Sequence, residues 1–149
     1  MTLKELSILE WQKRCSTTKM PPNYVPKTTF TDKTANGLTK CITTFLNLKG
    51  HQAERINTMG RVIDNTKFVT DSVGFTRRIG STKYIPTTGT KGSADISATI
   101  NGRSVKIEIK MKDVQSDNQK KYQADIERAG GVYFIARNWE QFLIEYNKL

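Results

Sequence analysis

Apolar positions along this 149-residue chain change their spacing several times, and each change marks an element. Residues 1 to 35 show no sustained periodicity beyond a short helical start around Leu3 to Gln12. They hold Pro21, Pro22 and Pro26 among many threonines, and the segment reads as a partly ordered N-terminal arm. From Asn36 the pattern turns helical: Leu38, Cys41, Ile42, Phe45 and Leu48 share one stripe, with Asn36 as cap and Gly50 as stop. Gln52 to Asp64, Lys67 to Val73 and Thr76 to Ile85 alternate as strands do, broken at Gly60, Gly74 and Gly80. Thr87 to Gly92 (TTGTKG) reads as a loop. A helix is expected from Ser116 to the Gly130-Gly131 pair, then a buried strand over Val132 to Ala136 (VYFIA). Trp139, Phe142, Leu143 and Tyr146 give a closing amphipathic helix. This order predicts an α/β or α+β fold with a mixed sheet.

The stretch GSADISATINGRSVKIEIK, from Gly92 to Lys110, alternates on both sides of Asn101-Gly102, the strongest short-range hairpin signal. A two-residue loop sets Ile100 against Arg103, Ala98 against Val105, Ile96 against Ile107 and Ala94 against Ile109, all on one mostly apolar face. On the other face Thr99 meets Ser104, Ser97 meets Lys106, and Asp95 lies opposite Glu108, with Lys110 two residues further on. Opposed side chains have Cβ atoms about 5 Å apart, and like charges there destabilise the pair. A solvated polar face blunted by Lys110 is one resolution. A divalent cation between the carboxylates is the other, and two hard oxygen donors suit Mg²⁺, with Mn²⁺ able to substitute. Such a metal polarises a phosphoryl oxygen and lowers the pKa of bound water, which points to phosphodiester hydrolysis.

Charge favours the same class of partner. The formal net charge is +10 and the pI about 9.7, and Lys49 to Lys91 carry eight basic residues against three acids. A folded surface of that sign attracts a polyanion, nucleic acid before acidic membrane. No apolar run approaches the ~20 residues that span a bilayer, and Met1 to Glu10 makes a poor signal peptide. A cytoplasmic protein without a membrane partner is expected. Cys15 and Cys41, far apart and without metal-ligand spacing, are expected as reduced thiols. His51, after Gly50, reads as a surface residue at a helix end.

The ordered set KGSADI, VKIEIK and SDNQKKYQADIERAGGVYFIA, from Lys91 toward Trp139, resembles the VRR-NUC branch of the PD-(D/E)XK nuclease superfamily. The likeness extends back to the helix at Asn36. It implies a nuclease domain over 36–149 with a restriction-endonuclease-like core: a mixed sheet flanked by helices in α-β-β-β-α-β order, then a C-terminal helix. The implied activity is Mg²⁺-dependent cleavage of DNA. By position, Asp95 and Glu108 would be metal ligands, joined by the Ile109 backbone carbonyl. Lys110 would position or activate the attacking water, and Gln119, with Tyr122, would orient water or phosphate. Ser116 and Gln119 also read as a plain capping box. Two departures stand out: Ala94 occupies the place of a common proline, and Asn36 to Lys49 lacks the acid many relatives carry on the first core helix. Glu54 is a substitute ligand, set against the reading of an exposed strand glutamate beside Arg55. Lys91, Lys112, Lys120, Lys121, Arg77 and Arg78 are candidate phosphate contacts.

By analogy with small phage-type relatives, the substrate expected is branched DNA such as a Holliday junction, cut by a homodimer. The alternatives are a nicking or flap-cutting nuclease on the same site, or a non-catalytic nucleic-acid-binding module that keeps the fold.

Overall fold

In the computed structural model, which describes residues 1–57, 60–87 and 89–149, the N-terminal segment is a built part of the fold. Helix α1 (Leu3–Thr17) starts where expected but runs five residues past Gln12. A capping box opens it: Thr2 Oγ1 accepts from the Glu5 N–H and the Glu5 carboxylate accepts from the Thr2 N–H. Leu6 is fully buried in the core. The chain then returns along the helix, with Ser7 Oγ donating to the Thr28 carbonyl and Trp11 Nε1 to the Val25 carbonyl. Trp139 Nε1, from the far end of the sequence, donates to the Met1 carbonyl. An arm that is only partly ordered does not describe these contacts.

Helix α2 (Ala35–Leu48) is capped by Thr34 instead of Asn36, and Gly50 takes φ +86° just past its end. Its apolar stripe buries Leu38, Cys41, Ile42, Phe45 and Leu46. Phe45 meets Trp139, Phe142 and Tyr146 edge-on with ring centroids 5.0–5.6 Å apart. His51 is not a free surface residue, because its Nε2 lies 2.9 Å from the Tyr146 hydroxyl. The two cysteines are free thiols, and burial raises that of Cys41 to about 11.

The expected strand over Gln52 to Asp64 is two strands, β1 (Gln52–Arg55) and β2 (Arg61–Asp64), and positions 58 and 59 of it lie outside the described residues. Then follow β3 (Lys67–Thr70), β4 (Thr76–Ile79) and β5 (Thr82–Ile85). Position 88 of the TTGTKG loop is also outside them. After it come β6 (Ile96–Ile100), β7 (Arg103–Ile109), α3 (Asp117–Arg128), β8 (Val132–Ala136) and α4 (Trp139–Tyr146).

These elements form two units, Met1–Ile56 with Gly92–Leu149, and Asn57–Lys91. That division differs from the expected boundary at residue 35. The larger unit is mixed α/β, its sheet ordered β1-β6-β7-β8, with β7 and β8 parallel and the other pairs antiparallel. One face packs Ala98, Ile107, Phe134 and Ala136 against α1, α2 and α4. The other carries α3. The smaller unit holds β2 paired with β5 and β3 with β4. No helix among the described residues is long and apolar enough to cross a membrane.

Leu6→Ala should lower the unfolding free energy by about 2–5 kcal/mol in urea denaturation. Leu9→Ala, on the exposed side of the same helix, should change it by about 0.5 kcal/mol or less. Equal, small effects would return the segment to the status of a loose arm.

Candidate functional site

The hairpin turn is the predicted one, with Asn101 at φ +50° and Gly102 at φ +79°. Its register follows, with Ile100 against Arg103, Ala98 against Val105 and Ile96 against Ile107. Val105, Ile107 and Ile109 of β7 therefore enter the core, and Lys106, Glu108 and Lys110 lie on the opposite face. That face is not open to solvent at Glu108, which is 2% exposed. Lys110 Nζ stands 3.2 Å from Glu108 Oε1, with its own side chain largely covered. Glu108 Oε2 is buried without a hydrogen-bond partner.

Asp95 departs from the simple ladder. Pairing of β6 with β7 stops at Ile96, so Ala94 does not form the expected pair with Ile109. The Ile109 N–H instead donates to Asp95 Oδ2 at 2.9 Å, while the Asp95 carbonyl accepts from the Ile56 N–H at 2.8 Å. Asp95 is thereby fixed, half-buried, within electrostatic reach of Glu108.

Helix α3 completes the site. Gln119 closes the capping box and also reaches the sheet, because its amide has two ends. Oε1 accepts from the Ser116 N–H at 2.9 Å, closing the capping box, and Nε2 donates to Glu108 Oε1. A helix cap therefore doubles as the clamp on the buried carboxylate. Gly92, at φ +79°, passes so close that a Cβ there would lie 2.5 Å from the Asn118 carbonyl, which holds the start of α3 against the entry to β6. Tyr122 packs edge-on against Tyr133 with ring centroids 6.4 Å apart.

Sequence reading missed Tyr133 and Gln115. Tyr133 pairs with Lys106 in the parallel ladder and so faces α3. Its hydroxyl accepts from Gln115 Nε2 at 3.3 Å, and the same amide donates to Gln123 Oε1. Burial pushes the Tyr133 phenol up to about 12, and the nearby carboxylates Glu108 and Asp95 push the same way. The phenolic oxygen inside the apolar run VYFIA was the available signal; Gln115 left none.

Among the described residues, the side chains of the remaining candidates make no hydrogen bond or ion pair with this cluster. Glu54 pairs with Ser97 on the polar face but is exposed, and its side chain makes no ion pair or hydrogen bond among the described residues. No group of three or more His, Cys, Asp or Glu among the described residues is placed to hold a metal. Lys112, Lys120 and Lys121 are exposed, with Lys120 Nζ 3.4 Å from Asp117. Lys91, Arg77 and Arg78 belong to the smaller unit. No family model, curated protein or solved structure matches this chain.

Burial raises the Glu108 carboxyl above the ordinary glutamate value of 4.5, and the Asp95 charge adds to the rise. Lys110 and the Tyr133 hydroxyl oppose it. Between the ordinary value and the raised one, the folded state holds a proton that the unfolded chain has released. The stabilising contribution of Glu108 is full below the ordinary value and is lost as pH rises through the raised one. Without divalent metal, Glu108→Gln should melt a few degrees above wild type at pH 8, and the gain should vanish by pH 4. A variant less stable than wild type at pH 8 would contradict a strained buried carboxylate.

Proposed function

We propose that this chain is a metal-dependent endonuclease of the PD-(D/E)XK type that hydrolyses phosphodiester bonds in DNA. The observation that carries the reading is Glu108: a nearly inaccessible carboxylate kept beside a second acid, with one oxygen unpaired. Burying this carboxylate beside Asp95 costs the fold more than Lys110 returns, and a bound cation would offset the remainder. Glu108 Oε2, the free oxygen of Asp95 and the Ile109 carbonyl are hard donors that fit Mg²⁺ or Mn²⁺. When bound, the metal would polarise a phosphoryl oxygen and lower the pKa of a bound water. The strand and helix order of the larger unit from α2 onward, helix, three strands, helix, strand, suits this class.

The chain's own groups have definable parts. Gln119 holds Glu108 in one rotamer, since its far end is locked in the cap, and so presents Oε2 away from α3's amide. The Lys110 ammonium can orient a water or offset negative charge developing on phosphorus. Tyr133, held by Gln115, stands beside Glu108, and burial of the carboxylate strengthens each of these interactions. Branched DNA is the proposed substrate, cut by a homodimer because a four-way junction needs two incisions.

A second reading, a nucleic-acid-binding module without turnover, draws on the missing third ligand: α2 has no acid, and the substitute Glu54 is exposed and forms no group of three with Asp95 and Glu108. Incubation of labelled four-way junction, flap and linear DNA with Mg²⁺, Mn²⁺ or EDTA separates the two. Cleavage should require metal and fall at least about 100-fold in Asp95→Asn and Glu108→Gln, with DNA affinity kept. Gln119→Ala should cost about 10–100-fold, as loss of a group supporting a ligand does. Tight binding with no cleavage under any metal would establish the module instead. Paired symmetric cuts confined to the junction would identify a resolvase, and cuts at flaps or single nicks a related nuclease.

A further inference from the structure

The smaller unit is a long two-stranded hairpin. The two strand pairs share one register, because the count that sets Asp64 opposite Thr82 also sets Lys67 opposite Ile79. The Asn65 N–H donates to the Ser81 carbonyl between them. Alternation therefore carries through from Arg61 to Ile85, and the ribbon has two unlike faces.

The even-numbered face carries Val62, Phe68, Tyr84 and four threonines. Its cation, Arg78, is neutralised there: Nη2 lies 3.6 Å from Asp64 Oδ2 and donates to Thr66 Oγ1 at 2.9 Å. The odd-numbered face carries Arg61, Lys67, Arg77 and Lys83, and its one acid is Asp71 in the turn. Each cation sits across from an aliphatic: Arg61 from Ile85, Lys83 from Ile63, Lys67 from Ile79 and Arg77 from Val69. No like charges are directly opposed, and each long stem has an apolar neighbour to lie against, leaving its charged head outward. Arg61, Lys67 and Lys83 form no ion pair among the described residues, and Arg77 reaches only Asp71 in the turn, at 3.4 Å. All four cations are exposed.

We propose that this odd-numbered face is a docking surface for the phosphate backbone of a DNA duplex. Two cations come from each strand, so the charge lies on both sides of the ribbon axis. A two-stranded ribbon is of a size that the major groove admits, with a phosphate strand along either edge. The even-numbered face, with its one cation paired, stays outside. A second copy of this chain is the poorer occupant, because a two-fold contact through the face would set cations against cations. The identity of the polyanion as DNA rests on the nuclease reading, while the face itself does not. The inference adds Arg61, Lys67 and Lys83 to the candidate contacts, keeps Arg77 and removes Arg78.

The test uses the full chain with fluorescent duplex and four-way-junction DNA, in EDTA so that no cleavage intervenes. Arg61→Gln/Lys67→Gln/Lys83→Gln keeps the stems and removes three charges. Lys13→Gln/Lys19→Gln/Lys33→Gln removes the same charge elsewhere. Circular dichroism and melting check the fold, and the three single variants serve if the triple fails to fold. The ribbon triple should bind at least tenfold more weakly, and its log Kd against log salt slope should fall by about 2–3. The control triple should stay within about twofold of wild type. Equal loss in both triples would overturn the proposal in favour of bulk charge. An unchanged Kd with a lost dimer in sedimentation velocity would overturn it in favour of self-association. DNA binding through the ribbon without metal-dependent cleavage would sustain the face and contradict the nuclease. Cleavage by wild type with ribbon variants unimpaired would do the reverse.

Discussion

Asn101 and Gly102 both take positive φ, a geometry that a two-residue loop demands, and the hairpin they close has one register available to it. In that register Ala98, Val105, Ile107 and Ile109 enter the core, so the opposite face receives Ser97, Lys106, Glu108 and Lys110. One residue more in the loop would exchange the two sets, placing acids among aliphatics. Everything at the candidate site is downstream of this constraint. The parallel pairing of β8 follows from the exposed edge of β7, and α3 crosses to that edge over the polar face. Its first turn consequently meets Glu108.

The face opposite the core is thus polar yet covered, and this combination makes the site unusual as structure. Glu108 is surrounded by groups that limit its cost without removing it. Gln119 and Lys110 share one carboxylate oxygen, and the other makes no hydrogen bond, with the Tyr133 hydroxyl close to the group. Asp95 adds a second negative charge while spending one of its own oxygens on the Ile109 N–H. Replacement of such an acid by an apolar residue would suit the fold better. A local conflict at a position of forced geometry is what the proposed cation site would account for.

Much of this was legible because the determinants are local. The turn dipeptide fixed pairing, the 3.6-residue stripe located α2, and Ser116 marked the start of α3. What escaped depends on contacts distant in sequence. Thr34 displaces Asn36 as the cap of α2, a choice between neighbours that propensity does not resolve. The helix α1 buries only Leu6 and has little apolar stripe, and its order comes from bonds to Val25, Thr28 and residue 139. Residues 61 to 85 alternate as strands should, but each face mixes apolar and polar side chains. Alternation alone could not tell a half-buried sheet strand from a ribbon exposed on both sides. Gln119 was read as cap or as site residue when the geometry of an amide permits both. Tyr133 was hidden in a run that looked uniformly apolar.

The central claim is that the carboxylates of Asp95 and Glu108 together form a cation site. Carbon-13 NMR of the side-chain carboxyl groups, followed through a pH titration with and without Mg²⁺ and then with traces of Mn²⁺, addresses it without recourse to activity. The account predicts that Glu108 titrates above the ordinary glutamate range in metal-free protein and moves to lower pH with Mg²⁺. It also predicts that Mn²⁺ broadens the Asp95 and Glu108 signals before those of Glu54 or Asp64. A Glu108 signal that titrates at the ordinary value and is indifferent to both metals would contradict it.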